Sequence, residues 1–139
     1  MRAFSLMLLR VTLGGLMVWW GLDKLVNIEH AIGVSSRFYL GLFDAPTILK
    51  GFGVIQIIMG AMVIIGFMRR QAYLLMLAIT TINVLAVGKS ILDPWGWIFE
   101  GTNALFYPSI TIFAANLVII AFRDEDTISL DAKRAASAG

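Results

Sequence analysis

Along the chain, long apolar runs alternate with short polar breaks, and the runs have the length a bilayer demands. Stretches at about residues 4–22, 47–68, 71–89 and 103–122 rise about 1.5 Å per residue as helices, enough to cross a hydrocarbon core of about 30 Å. Val26 to Phe43 mixes apolar and polar residues irregularly; too polar to span, it predicts a partly helical segment on the membrane surface. Arg69-Arg70-Gln71 leaves room only for a tight turn, which makes the second and third runs antiparallel neighbours. Leu92-Asp93-Pro94-Trp95-Gly96-Trp97 is turn chemistry flanked by aromatics. Asp44 is expected to cap the second helix, with Pro46 in its first turn, and Thr102 or Asn103 to cap the fourth. Pro108 is expected to bend the fourth helix. From Arg123 onward the chain is charged and rich in small residues, a short helix or disorder. The pattern thus predicts an all-α integral membrane four-helix bundle over residues 1–122, with an outer-side amphipathic segment and a cytoplasmic tail at 123–139.

Composition agrees. Of 139 residues, 59% are hydrophobic and 14% charged, against about 25% charged in a soluble domain. There is no cysteine and one histidine, His30. That excludes disulfide exchange, iron–sulfur clusters, covalent haem and bis-histidine haem within one subunit, and no self-contained metal site is visible. A redox role therefore needs a diffusible carrier or a partner's cofactor. The net charge of +2 comes from scattered residues and argues against nucleic acid. Arg10 interrupts the first run, and no small-residue cleavage pattern follows Trp19-Trp20-Gly21, so that run reads as a retained span. Four spans put both termini on one side with the Arg69–Arg70 turn. That side carries Arg2, Arg69, Arg70, Arg123, Lys133 and Arg134, against Lys24, Arg37, Lys50 and Lys89 opposite. The excess of basic residues predicts both termini in the cytoplasm. Trp19, Trp20, Trp95, Trp97 and Tyr107 then fall at the outer rim, as an aromatic belt.

The polar residues within the runs are the candidate site. Arg10, Gly14, Met17, Gly21 and Lys24 share one face of the first helix. Arg10 and Asn116 lie about six residues from the cytoplasmic ends of their runs, and Gln56 and Asn83 about twelve, which predicts two polar layers, Arg10 with Asn116 and Gln56 with Asn83. These are either interhelical hydrogen bonds or a polar pocket for a quinone head group, a proton or a small solute. No acidic residue occurs in any of the four runs, so an arginine–carboxylate pair within one subunit is not expected. The seven-residue pairs Gly14/Gly21 and Gly53/Gly60 predict close packing of the first two spans. Asp23, Lys24 and Glu29 read as a solvated helix end, while His30 stands alone, with a ligand or proton-transfer role as its lesser reading.

Leu8-Leu9-Arg10, Leu13-Gly14 and Trp20-Gly21-Leu22-Asp23-Lys24-Leu25, followed by Gly60-Ala-Met-Val-Ile-Ile-Gly66-Phe-Met-Arg69-Arg70, resemble the DoxX family. The resemblance implies a four-helix bacterial inner-membrane protein with a long first loop. Some relatives, of the DoxD type, are membrane subunits of thiosulfate:quinone oxidoreductase, and others associate with redox or oxidative-stress enzymes. The resemblance therefore implies a membrane subunit or anchor of a quinone-linked oxidoreductase, with a protein partner or a second copy of itself, a quinone as the non-covalent ligand, and no covalent cofactor. Arg10, Lys24, Gln56, Asn83 and Asn116 would be its site. Relatives often carry a glutamate where this chain has Gln56, whose neutral amide can hydrogen-bond a quinone but cannot exchange protons near neutral pH. A non-enzymatic assembly protein and a carrier of small solutes or lipids are the alternatives.

Overall fold

Glycine placement decides how the long helices meet. The computed structural model describes residues 1–42 and 44–139; Phe43, which the sequence places in the surface segment, lies outside them. Helix α1 (Arg2–Val26) ends at Asn27, α2 (Ile28–Phe38) follows, and α3 (Pro46–Ile65) returns along α1. A Cβ built on Gly14 would lie 2.7 Å from the Gly60 carbonyl oxygen, and one on Gly60 would lie 2.6 Å from that of Gly14. Gly21 and Gly53 stand in the same reciprocal relation, at 2.6 and 2.8 Å. The two backbones therefore touch at both levels, at a distance only glycine permits. The close packing expected of the first two spans is present, and α1 against α3 is the most extensive helix contact.

The chain continues through α4 (Arg69–Ala86), α5 (Gly88–Leu92), a 3-10 turn at Ala104–Phe106, α6 (Pro108–Ala121), a second 3-10 turn at Arg123–Glu125 and α7 (Leu130–Ala138). Helix α4 packs chiefly on α6. Leu13 and Met17 from α1, Met59 and Val63 from α3, Ala72, Tyr73 and Met76 from α4 and Ile119 from α6 form one buried apolar core. The outward faces carry exposed Leu8, Ile55, Ile58, Leu75, Ile82 and Leu85, the reverse of a water-facing surface. Among the described residues, three segments are long and apolar enough to cross a membrane: Arg2–Val26, Pro46–Ile65 and Ala104–Ala121. Helix α4 falls outside that group because Arg69, Arg70, Gln71 and Asn83 lower its mean hydropathy.

Several local expectations change. Pro108 is the first residue of α6, following the 3-10 turn, so it starts that helix and does not interrupt it. Asn103 does cap that turn, accepting from the Leu105 amide at 2.9 Å. Asp44 does not cap α3; its carboxylate accepts from Ser36 Oγ at 3.2 Å. The α3–α4 turn comes earlier than Arg69-Arg70-Gln71. Gly66, at φ 71, ends α3, Met68 is also left-handed, and both arginines already belong to α4. The segment from Arg123 is neither a free tail nor only a helix, but is docked on the core.

Candidate functional site

The glycine contacts also place Arg10. Because Gly14 faces Gly60, Arg10 comes level with Ile64, two residues before Gly66 ends α3. Its Nη1 donates to the Ile64 carbonyl and, at 3.1 Å, to the Val63 carbonyl, which also accepts from the Gly66 amide at 3.1 Å; both carbonyls lie in the last turn of α3. Its Nε donates to Asp126 Oδ2 at 2.7 Å, with both side chains at least 96% buried. The expectation that no carboxylate of the same chain would reach Arg10 is therefore overturned. The acid comes from beyond the fourth apolar run, and Arg10 sits near the helix-end level that the chain's last segment can reach.

A second arginine fastens the same segment. Arg69 Nη1 donates to the Arg123 carbonyl at 2.5 Å and to the Asp126 carbonyl at 3.1 Å. Asp131 then caps α4, accepting from the Met68 amide at 3.1 Å and the Arg69 amide at 2.8 Å. Its own amide donates to the Gly66 carbonyl at 3.0 Å. A carboxylate at a helix N-terminus satisfies orphan amides and meets the positive end of the dipole. The segment 123–131 thus laces α1, α3 and α4 together at one end of the assembly, the latch end.

The other candidates do not converge. Asn116, fully buried, donates from Nδ2 to Thr80 Oγ1 at 3.3 Å and not to Arg10. Asn83 accepts from Tyr39 Oη at 3.0 Å and donates to Ser109 Oγ at 3.4 Å, not to Gln56. Burial raises the Tyr39 pKa, which keeps the phenol a neutral donor. Gln56 Oε1 and Asn116 Oδ1 are buried without a hydrogen-bond partner among the described residues. Lys24 donates to the Trp20 carbonyl at 3.1 Å and lies 5.7 Å from the Phe52 ring centre. Fourteen residues separate it from Arg10, about 21 Å along one helix.

At the end opposite the latch, Trp19, Trp95, Trp97 and Tyr107 are exposed, whereas Trp20 packs against the core. Trp95 and Trp97 stack at 5.3 Å, and Asp93 holds their loop. Its carboxylate accepts from the Trp97, Ile98 and Phe99 amides at 3.0, 2.6 and 2.8 Å. Those bonds to the charged form, the Phe99 amide foremost, lower the Asp93 pKa. The loop's stabilisation is therefore complete above the usual aspartate pKa of about 4 and is lost as pH falls through the depressed folded value. Tryptophan emission from a reconstituted sample should stay constant down to about pH 4 and shift only below it. Asp93→Asn, with one acceptor oxygen, should show the acid-type emission at neutral pH.

Beside this rim, a cleft of about 370 Å³ lies between α2 and the Ala104–Phe106 turn, lined by His30, Gly33, Val34, Arg37, Phe38, Asn103 and Phe106. Phe38 and Phe106 meet edge to face at 4.6 Å. His30 Nδ1 lies 2.7 Å from Asp23 Oδ2. A carboxylate only accepts, so Nδ1 carries the hydrogen and Nε2 remains available to a ligand. The sequence shows His30 alone, with a ligand role as its lesser reading, and gives no sign of Arg37 as a site residue. His30 and Asp23 come together because the helix breaks at Asn27, a break the apolar pattern does not mark. Aromatic walls with imidazole, guanidinium and amide groups suit a flat ring bearing carbonyl oxygens.

The family model described as DoxX matches residues 5–89 of the chain. No curated protein and no solved structure matches it. The matched stretch contains both glycine pairs, Arg10, Arg69 and His30, and stops before Asp93, α6 and Asp126.

Proposed function

We propose, from the premise that the chain belongs to the DoxX family, that it is the membrane subunit of a quinone-linked oxidoreductase whose redox centre sits on a partner. The carrying observation is the cleft at the tryptophan end, which His30, Arg37 and Asn103 line together with the Phe38–Phe106 pair. In this reading Arg37 and Asn103 donate to a quinone carbonyl, and His30 exchanges a proton through Nε2 while Asp23 orients the ring. The aromatic pair walls the head group. The partner supplies the electrons.

The same reading makes α4 a fourth span, because Leu74, Leu75, Ile82 and Leu85 give it an exposed apolar face while Arg69 and Asn83 bond inward. The basic residues of the latch end support an inner-membrane protein with both termini in the cytoplasm. The cleft then faces the outer side. Arg10 belongs to the architecture here, and Gln56 and Asn116 remain the buried amides to test against it.

The test is binding of a short-chain quinone to the purified chain. His30→Ala with Arg37→Gln should weaken binding at least tenfold, about 1.4 kcal/mol, while Gln56→Leu leaves it unchanged. Unaltered binding in the double variant, or loss in Gln56→Leu alone, sinks the assignment to this cleft. An assembly role is favoured by one observation, the exposed stacked pair Trp95–Trp97 on a loop held by Asp93. The glycine faces cannot serve as docking surfaces, since α1 and α3 bury them against each other. A stable partner captured through that loop, with no quinone bound, would select the assembly role. A carrier role finds less support, because Met17, Met59, Val63, Tyr73 and Met76 fill the centre between the helices.

A further inference from the structure

At the latch end a second cleft, of about 200 Å³, opens between the start of α4 and the end of α6, lined by Arg70, Tyr73, Leu74, Ile120 and Arg123. Its chemistry is layered. Two guanidiniums stand nearest the helix ends, and Leu74 and Ile120 continue the lining along the apolar helix faces. The neighbouring Arg69 is committed to the Arg123 and Asp126 carbonyls. Arg70 is exposed and has no ion pair among the described residues. Arg123 leans on Asp124 at 3.0 Å, but the Asp124 side chain is 82% exposed, so water screens that pair and a stronger anion can displace it.

We propose that this cleft binds the head group of an anionic phospholipid, with its phosphate between Arg70 and Arg123 and its chains along Leu74 and Ile120. A guanidinium presents a planar fork of donors that matches phosphate oxygens two at a time. Basic pockets between apolar helices at the edge of a bilayer are the setting in which such head groups are held. A zwitterionic lipid offers the same phosphate but brings a cation toward the same arginines. The site therefore selects for net negative charge. It rests on the membrane location alone and not on the quinone reading.

Native mass spectrometry of the full chain in detergent tests this with dioleoylphosphatidylglycerol and dioleoylphosphatidylcholine as separate probes. The phosphatidylglycerol adduct should survive at lower lipid concentration than the phosphatidylcholine one. Arg70→Gln and Arg123→Gln should each weaken it about fivefold, and both together about 25-fold, with a smaller loss for phosphatidylcholine. Folding is not at issue, since Arg70 bonds nothing described and Arg123 serves the latch through its backbone carbonyl, which glutamine keeps. Arg37→Gln, at the other end, should leave both lipids as in the unaltered chain. Equal retention of the two lipids, or an undiminished phosphatidylglycerol adduct in the double variant, overturns the proposal. So does inorganic phosphate displacing the lipid at equal concentration, which would mark a plain anion site.

Discussion

Asp126→Ala is expected to destabilise the protein by about 3–5 kcal/mol, the range for removing one partner of a buried ion pair. The loss is large because Arg10 cannot escape. Its guanidinium is held against the end of α3 by the Val63 and Ile64 carbonyls, and its side chain is 3% exposed. Without Asp126 a permanent cation remains buried, since arginine does not deprotonate to relieve it. The effect should spread along the segment. Asp126 also gives its carbonyl to Arg69, and its Oδ1 accepts from the Ile128 amide at 3.3 Å, so the turn leading to Asp131 loosens with it. Thermal unfolding in detergent should show the drop, and limited proteolysis should cut within residues 123–139 in Asp126→Ala under conditions that spare the unaltered chain. An unchanged melting temperature would mean that Arg10 has another counter-charge.

Gly60→Leu should be the second most damaging change. The obstacle to a Cβ there is the Gly14 carbonyl at 2.6 Å, with the Val18 amide nitrogen at 2.9 Å, and neither can swing away as a side-chain tip could. Helices α1 and α3 must part. Overfilling a packed interior typically costs about 1–3 kcal/mol, and a backbone obstacle puts this site at or above the upper end. Parting the helices also draws Arg10 away from its two carbonyls, since the same register sets both contacts. Gly15 supplies the control. A Cβ there meets nothing within 4 Å, so Gly15→Ala should be neutral or stabilising by up to about 1 kcal/mol through helix propensity. Melting curves that drop equally for both would contradict the close contact at Gly60.

The glycine pairs were legible because a seven-residue spacing on two consecutive apolar runs has one simple physical use, a close antiparallel contact. The need of Arg10 for an anion was legible too, from the cost of a bare cation in hydrocarbon. The identity of that anion was not. Depth along the first run does not show that the Gly14–Gly60 contact sets the level of Arg10 against the end of α3, within reach of a segment beyond the fourth run. The Thr80 partner of Asn116 was not legible, because a hydroxyl inside an apolar run does not stand out as a polar partner. His30 and Asp23, seven apart, would lie about 10 Å from each other along a continuous helix. The break at Asn27, which nothing in the apolar pattern marks, closes that gap to 2.7 Å.

The double-mutant cycle between Arg10 and Asp126 bears most directly on the claim that a tail carboxylate, and no ligand or partner, neutralises the buried arginine. Arg10→Met, Asp126→Leu and the pair are compared with the unaltered chain, each purified without added quinone or partner. The predicted result is that Asp126→Leu alone is strongly destabilising, that Arg10→Met with Asp126→Leu recovers much of the loss, and that the coupling is about 2–3 kcal/mol. Additive effects of the two substitutions would contradict it, and would return Arg10 to the list of residues awaiting a ligand.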